Sequence, residues 1–239
     1  MKTLVGIASW GFLAVCLFDT TRGSQPTSPA IDESLYSRQL YVLGKDAQQR
    51  ISTSKVLISG LSGLGAEIAK NLILAGVKEV ALHDIQKASY NDLASNFCLD
   101  EETSLGKNRA AASIGFLKDL NPYVKVEVVP SDEPLTEELI REGGFDCVVL
   151  ADQSLGAQLR ANRLCRRQER PCRFLSAGAP GVFGAVFCDF GDAHWVADAT
   201  GEAPKAALLD RVEAAPAGTT GGAAEVVAVC VEEERHDFQ

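Results

Sequence analysis

The pattern of apolar and polar positions divides residues 55–190 into alternating strands and helices. Short apolar runs rich in β-branched residues predict strands, at residues 56–59, 80–83, 125–129, 145–150, 173–176 and 185–190. Helical spacing predicts helices in the intervals, at residues 66–75, 103–120, 133–141 and 155–168. Strands and helices that alternate at these lengths predict an α/β fold with a Rossmann-like, doubly wound, mainly parallel sheet.

The pattern is different on either side of this region. A helix is predicted from residue 33, with buried positions at Leu35, Leu40, Leu43, Ala47 and Ile51. Residues 19–32 are rich in Ser, Thr, Pro and Gly, which is typical of a disordered linker. Beyond residue 190 we expect a helix at 202–215, a loop at 214–224 and a strand at 225–232. Residues 191–239 are too few to bury a core of their own.

One stretch, residues 55–84, carries candidate chemistry. Its glycine turn, Gly60, Gly63 and Gly65, lies between a strand and a helix, and Asp84 ends the next strand. This strand–turn–helix–strand arrangement places a phosphate on the helix N-terminus and a ribose on the acid. Ser62 stands where the nucleotide-binding pattern has its middle glycine, and a side chain there crowds the approach of a phosphate. The stretch therefore favours the fold more than it favours nucleotide binding.

Composition excludes several classes of function. The net charge is −9, from 23 basic and 32 acidic residues, which argues against nucleic acid as a partner. Seven cysteines occur without any C-x-x-C pair, so we interpret most of them as reduced core residues. With three histidines and no metal-ligand spacing, no metal site is predicted.

The first residues give a different indication. Residues 2–18 combine a basic start with an apolar core, as in a secretory signal peptide, but a clean cleavage site is missing. The cysteine usage favours a reducing compartment. We therefore expect a cytoplasmic and nuclear protein without a membrane partner, with secretion as the alternative if the leader is real.

Five segments together resemble the N-terminal, non-adenylating ThiF-type half of a ubiquitin-activating enzyme. They are LYSRQLYVLG (35–44), ISGLSGLGAEIAKNLILAGVKEVALHD (58–84), GKNRA (106–110), VFCDFGD (186–192) and ERHDF (234–238). The resemblance implies a pseudo-dimer of two related folds, in which the active half adenylates ubiquitin or a relative with ATP and magnesium, and a cysteine elsewhere forms the thioester. It implies three parts here: a leader and linker (1–32), an inactive adenylation fold (33–190) and the start of an inserted β-rich domain (191–239). The active half, the catalytic-cysteine domain and the ubiquitin-fold domain are expected to lie outside this chain.

The resemblance also implies that this half does not adenylate. The family's active fold has a glycine at Ser62, an aspartate at Gln86, an Asn-Arg-Gln triplet at residues 94–96 and an Asp-Asn pair at residues 153–154. Without the arginine and the metal-binding acid, the charge stabilisation of the phosphates is lost. Gly60, Gly63, Gly65 and Asp84 are then a vestigial nucleotide site. We expect no cofactor in this chain, with ATP and magnesium held by the active half.

Arg38 is the candidate catalytic residue. In the family, the arginine of the Tyr-Ser-Arg-Gln motif reaches into the ATP site of the partner fold, and the resemblance implies the same role for Arg38. A guanidinium suits that role because it stays charged and offers a fork of donors to phosphate oxygens. Lys107 and Arg109 are weaker candidates, and we expect both to lie on a solvated helix face.

Two other functions remain open at this point. A Rossmann-type oxidoreductase would bind NAD through the glycine turn and Asp84, although no Tyr-x-x-x-Lys pair is present for hydride transfer. A complete single-fold activator of a sulfur-carrier-like protein would need the ATP-contacting triplet and the metal-binding acid.

Overall fold

The computed structural model describes residues 32–130, 133–194, 208–213 and 228–232. The chain divides into two compact units, residues 1–195 and 196–239. The strands of the first unit are β1 Lys55–Ser59, β2 Glu79–His83, β3 Lys125–Val128, β4 Cys147–Ala151, β5 Arg173–Gly178 and β6 Ala185–Asp189. Its helices are α1 Ser37–Thr53, α2 Gly63–Ala75, α3 Tyr90–Leu93, α4 Glu101–Ser104, α5 Arg109–Asp119, α6 Glu137–Gly143 and α7 Leu155–Arg166.

The sheet of the first unit has the strand order β3-β2-β1-β4-β5-β6. β1 to β5 pair in parallel and β6 runs antiparallel to β5. The predicted doubly wound, mainly parallel sheet is therefore confirmed. The strand order reverses between β1 and β4, where folds of this kind bind ligands at the carboxyl ends of the strands.

Helices cover both faces of the sheet and bury one hydrophobic cluster on each side. The cluster under α1, α2 and α5 includes Ile51, Val56, Ile58, Ile73 and Leu117. The cluster under α6 and α7 includes Leu57, Ile140, Val148, Ala161 and Phe174. Both faces of β4 are buried, and this explains why its sequence is apolar throughout instead of alternating.

The first helix differs from its sequence pattern. α1 is bent at Gly44, where φ is 81° and ψ is 167°, outside the helical region. The buried position is Tyr36 in place of the predicted Leu35, which is exposed. The prediction of one continuous helical periodicity from residue 33 was wrong, because the bend rotates the residues before Gly44 relative to those after it. Ile51 is buried as predicted.

Two predicted helices begin or end elsewhere. Residues 103–120 form two helices, because the Asn108 side chain accepts hydrogen bonds from the backbone N–H groups of Ala110 and Ala111 and so starts α5 afresh. α6 begins at Glu137 instead of residue 133, because the Thr136 hydroxyl caps it by accepting from the N–H of Leu139.

The second unit contains two described strands, β7 Leu208–Glu213 and β8 Ala228–Glu232, which pair in antiparallel fashion. The helix predicted at 202–215 is therefore wrong where β7 lies, since pairing with β8 overrides local helical propensity. The strand predicted at 225–232 is confirmed over β8. The predictions for residues 1–31 and 214–224 lie outside the described residues. In the described part of the chain, no helix has the length and apolar character needed to cross a membrane.

Among the described residues, Cys98, Cys147, Cys165, Cys172 and Cys188 carry free thiols. Cys147 and Cys165 are buried, as the interpretation of core cysteines requires, whereas Cys188 is exposed. Burial raises the pKa of the Cys98 thiol to about 11, which keeps it protonated at neutral pH.

Candidate nucleotide site

The carboxyl ends of β1, β2 and β4 lie level with one another and form the crevice in which a nucleotide is expected. Ser59 at the end of β1 is in register with His83 of β2 and with Leu150 of β4. The glycine turn follows Ser59, and Asp84 follows His83. The structure thus brings the predicted glycines and the predicted ribose acid together at one edge of the sheet.

The glycine turn is tightly packed against the protein's own backbone. A Cβ added at Gly65 would overlap the carbonyl oxygen of Gly60, so the start of α2 lies directly on the turn. A Cβ added at Gly63 would lie 2.6 Å from the Cβ of Ser95 and 2.8 Å from its Oγ. Ser95 thus occupies the space that the missing side chain of Gly63 leaves. These glycines serve contacts within the chain.

The carboxylate of Asp84 is buried and its acceptor sites are filled. Oδ2 accepts hydrogen bonds from the N–H of Leu61 at 2.6 Å and from Nε of Arg109 at 2.8 Å. Oδ1 accepts from the N–H of Gln86 at 2.8 Å and from Nη2 of Arg109 at 3.2 Å. A carboxylate offers about four lone-pair sites. A ribose could therefore bind Asp84 only by displacing a donor of this chain.

Arg109 links two acids across the crevice. Its guanidinium forms a forked pair with Asp84, and its Nη1 lies 2.9 Å from Oδ1 of Asp92. Burial alone would lower the pKa of Arg109, but the hydrogen bonds and charges of the two acids outweigh it and raise the pKa. For Asp92, burial raises the pKa, and the hydrogen bonds from Ser89 and Arg109 outweigh it and lower the pKa.

The prediction of a solvated Arg109 is therefore wrong. Only 13% of its side chain is exposed. Its sequence neighbour Lys107 is exposed and lies in the loop before α5. No local signal pointed to this burial, since Arg109 is the first residue of α5 and a helix N-terminus favours acids rather than cations. Its partners, 25 and 17 residues away, cannot be identified from local periodicity.

A third acid, Asp152, lies at the N-terminus of α2. The Ser62 hydroxyl donates a 2.6 Å hydrogen bond to Oδ2 of Asp152, and the N–H of Ala179 donates to Oδ1 at 3.0 Å. Asp152 adopts the left-handed conformation, with φ 51°. The start of a helix attracts anions, and here a carboxylate of the chain already supplies the negative charge. A bound phosphate would meet like-charge repulsion from Asp152.

The other positions that the resemblance singled out surround this crevice without adding charge. Gln86 and Ser95 are exposed, and Gln153 is half-buried. Asn96 is buried, and its Nδ2 donates to the carbonyl of Leu61 at 2.9 Å. These polar side chains hold the turn and provide no cation for a phosphate. No group of three or more potential metal ligands occurs among the described residues.

The cavity beside the crevice is small. Its volume is about 60 Å³, and its lining includes Ser59, His83, Leu150 and Arg160. Ligand pockets typically measure roughly 300–1,000 Å³. His83 is held at its wall, because its Nε2 lies 2.9 Å from the carbonyl of Glu133 and its Nδ1 lies 2.9 Å from the Ser59 hydroxyl. A purine base does not fit this cavity.

Arg38 lies outside the crevice. It is exposed on α1, which packs against the C-terminal end of α2, whereas the glycine turn precedes the N-terminal end of α2. Within the described part of the chain, no side chain forms a hydrogen bond or ion pair with the Arg38 guanidinium.

Comparison with known proteins gives a consistent result. The model described as the ThiF family matches residues 36–231. Human ubiquitin-like modifier-activating enzyme 1 is 46% identical over 209 residues, which are 87% of this chain and 18% of that protein. Human ubiquitin-like modifier-activating enzyme 6 is 42% identical over 215 residues, 89% of this chain and 20% of that protein. A ubiquitin-activating enzyme of Arabidopsis thaliana is 42% identical over 211 residues, 87% of this chain and 18% of that protein. The chain thus spans about a fifth of the length of these curated relatives.

Proposed function

The chain belongs to the ThiF family, and on that premise we propose that it is the non-adenylating half of a ubiquitin-activating enzyme. In this proposal the chain does not bind ATP. It docks onto an active adenylation half, which uses ATP and magnesium to adenylate ubiquitin or a ubiquitin-like protein before thioester formation. The complete enzyme acts in the cytoplasm and nucleus.

The observation that carries the proposal is that side chains of this chain occupy the nucleotide crevice. Arg109 occupies the acceptor sites of Asp84, and Asp152 supplies a negative charge at the start of α2. Adenylation depends on cations that neutralise the phosphates as charge develops. Arg109 is the cation paired within the described crevice, and Asp84 and Asp92 already neutralise it. The residues present therefore do not fit ATP with magnesium.

The same contacts weaken the two alternatives. An NAD-dependent oxidoreductase needs the acid after β2 for a ribose hydroxyl, and Asp84 has its acceptor sites filled. A single-fold activator of a sulfur-carrier-like protein needs its own ATP site in the crevice that Arg109, Asp152 and Ser95 occupy.

The docking role is supported by an apolar surface at the end of the sheet. β6 is the last strand in the order and leaves one edge without a strand partner in the described sheet. Val182 is 93% exposed and Phe183 is 76% exposed in the turn before β6, and Val186 and Phe187 in β6 are also exposed. A group of large apolar side chains beside an open strand edge is typical of an interaction site. We assign this surface to the partner fold.

In this proposal the chain contributes one side chain to catalysis. Arg38 is exposed and unpaired among the described residues, so its guanidinium is available to the phosphates of ATP in the partner half. Gly60, Gly63, Gly65 and Asp84 retain only an architectural role.

Calorimetric titration of the purified chain tests whether the crevice binds a nucleotide. We expect no heat of binding from ATP with magnesium or from NAD at millimolar ligand. Saturable ATP binding would overturn the proposal, and saturable NAD binding would favour the oxidoreductase. A chain with Asp84→Asn is the matched control, because any binding at this crevice should decrease when the ribose acid is neutralised.

A chimeric enzyme tests the role of Arg38. This chain would replace the matching segment of human ubiquitin-like modifier-activating enzyme 1, to which it is 46% identical. At limiting ATP, Arg38→Ala should lower adenylation by about 10-fold or more, because a charged donor to the phosphates is lost. Arg163→Ala, at an exposed arginine on α7, is the control and should leave adenylation unchanged. Equal rates for the Arg38→Ala variant and the unaltered chimera would remove the assignment.

A further inference from the structure

The bend in α1 arises from the backbone of one residue. Gly44 has φ 81° and ψ 167°, a conformation that is essentially restricted to glycine. A Cβ added at Gly44 would have no atom within 4 Å. No neighbouring side chain forces the bend, so a larger residue at position 44 would meet backbone strain and no steric clash.

The bent helix has two arms, residues 37–43 and residues 45–53. Both arms donate a hydrogen bond to the same backbone carbonyl. Nε2 of Gln39 on the first arm donates to the carbonyl of Ala75 at 3.3 Å. Nε2 of Gln48 on the second arm donates to that carbonyl at 3.1 Å. Ala75 is the last residue of α2, where backbone carbonyls lack partners within the helix. The bend thus lets both arms close around the C-terminal end of α2.

Tyr36 anchors the first arm to the same helix end. A Cβ added at Gly76 would lie 2.5 Å from the hydroxyl of Tyr36, so the phenol ring covers this glycine. Nδ2 of Asn121 donates to the Tyr36 hydroxyl at 2.9 Å and to the carbonyl of Ile73 at 2.9 Å. Tyr36 is buried, and the start of the first arm is therefore held on the core.

The opposite side of the first arm is exposed and carries Arg38. Tyr41 is 93% exposed and Val42 is 77% exposed, and they follow Arg38 by three and four residues. Residues with this spacing lie on one face of a helix. Arg38, Tyr41 and Val42 therefore form a surface, here called the α1 face, that combines two large apolar side chains with a cation that has no side-chain partner among the described residues.

We propose that Gly44 and Tyr36 are positioning residues for Arg38: the bend and the anchor fix the direction of the α1 face, so that Tyr41 and Val42 dock on a second ThiF-type fold while Arg38 reaches the phosphates of the nucleotide bound there. This inference rests on the proposed function. An arginine acts on phosphates only when its guanidinium arrives in a defined position, and a misplacement of about 1 Å can cost about 100-fold in rate. The hydrogen bonds from Gln39 and Gln48 to Ala75, and the packing of Tyr36 on Gly76, fix the position of the first arm on the end of a rigid helix.

Gly44→Ala tests the bend in the chain alone. Since a Cβ at position 44 meets no atom, the variant is expected to fold, and a straighter α1 relieves its backbone strain. Pulsed electron paramagnetic resonance between spin labels on unnatural amino acids at positions 41 and 118, both exposed, measures the direction of the first arm. The main distance should shift in Gly44→Ala. Gly191→Ala is the control, because this glycine also has positive φ, 103°, and open space around it. An unshifted distance in Gly44→Ala would overturn the proposal.

Kinetics in the chimeric enzyme test the consequence for catalysis. Gly44→Ala and Tyr36→Ala should each lower kcat/KM for ATP by about 10-fold to 100-fold, with the KM for ubiquitin unchanged. Tyr36→Phe retains the ring that covers Gly76 and should retain most of the activity. A general loss of folded enzyme would lower kcat without changing the KM for ATP, and that result would contradict a positioning role.

The two sets of variants separate this inference from the proposed function. If Arg38→Ala has no effect on adenylation, the role of Arg38 itself is wrong. If Arg38→Ala lowers adenylation but Gly44→Ala shifts the first arm without lowering kcat/KM for ATP, only the positioning of Arg38 by Gly44 is wrong.

Discussion

At the scale of single residues, the candidate site is shaped by the hydrogen bonds and ion pairs of a few charged side chains. Asp84 is 2% exposed and accepts hydrogen bonds from two backbone N–H groups and from the fork of Arg109. Arg109 in turn has a second acid, Asp92. A buried charge is costly unless it is paired and hydrogen-bonded, and this network meets that condition without any ligand.

Loss of Arg109 should therefore destabilise the fold. Arg109→Met should lower the free energy of unfolding by about 3 kcal/mol, because it leaves the buried Asp84 without its cation. Adding Asp84→Asn should recover part of that loss, because the neutral amide no longer needs a cation. Urea denaturation measures both values, with Arg163→Met on the exposed face of α7 as the control. A cost for Arg109→Met no larger than that of the control would contradict the network.

His83 should make stability depend on pH. Burial lowers its pKa from the usual 6.5, although the carbonyl of Glu133 and the charge of Asp84 act in the opposite direction. Its carbonyl partner requires a proton on Nε2, so in the neutral ring Nδ1 accepts from Ser59. As the pH falls below 6.5, the imidazole of His83 takes up a second proton in the unfolded chain before it does so in the folded chain. The stabilisation is complete above 6.5 and decreases below it, down to the pKa of the folded state.

The comparison with His83→Gln isolates this contribution. Between about pH 7 and pH 5, the free energy of unfolding should decrease more steeply in the unaltered chain than in the variant. Acidic groups contribute equally to both proteins, so the difference between the two curves belongs to His83. Parallel curves from urea denaturation would show that His83 titrates alike in the folded and unfolded states.

Residue types alone predicted part of this site. The glycines and Asp84 were found because they belong to one local unit of strand, turn, helix and strand. Arg109 and Asp152 were missed as crevice residues because their partners, Asp84 and Ser62, lie 25 and 90 positions away. A pairing at such separation depends on the sheet order, which brings the ends of β1, β2 and β4 together.

At the scale of elements, the tight contact between the glycine turn and α2 determines how the helix packs. Gly65 has no room for a side chain, because a Cβ there would overlap the carbonyl oxygen of Gly60. Gly115 in α5 has no atom within 4 Å of an added Cβ. The two positions are both helical glycines, and they differ only in what surrounds them.

The two alanine substitutions should therefore have opposite effects. Gly65→Ala should lower the free energy of unfolding by about 3 kcal/mol through overpacking against the turn. Gly115→Ala should raise it by about 0.5–1 kcal/mol, because alanine is the better helix former. Thermal unfolding followed by circular dichroism measures the two shifts. A stable Gly65→Ala variant would mean that α2 lies farther from the turn than described.

Elements with strong local signals were predicted well, and those shaped by distant contacts were not. α2 ends at Ala75 as predicted, and Gly76 caps it in the left-handed conformation. The bend of α1 was missed because a glycine inside a helical pattern can also remain helical, and residue spacing does not show which conformation it adopts. β7 was predicted as a helix because its pairing with β8 is not visible in local periodicity.

At the scale of the whole molecule, side chains of this fold occupy its own crevice, while exposed apolar groups and Arg38 lie on the surface of the described part of the chain. Arg109 and Asp152 occupy the ligand-binding edge of the sheet. The α1 face and the apolar surface at β6 remain exposed among the described residues. These features support our proposal that the fold serves a partner and does not bind a nucleotide, a division of roles that the family resemblance implied from the sequence.

Exchange of labelled pyrophosphate into ATP tests this central claim most directly. The purified chain would be incubated with ATP, magnesium and saturating ubiquitin, beside a chain with Asp84→Asn. We expect no exchange above the enzyme-free background in either sample, because neither crevice holds ATP productively. Exchange by the unaltered chain that Asp84→Asn abolishes would show that this fold adenylates by itself, and would contradict the account.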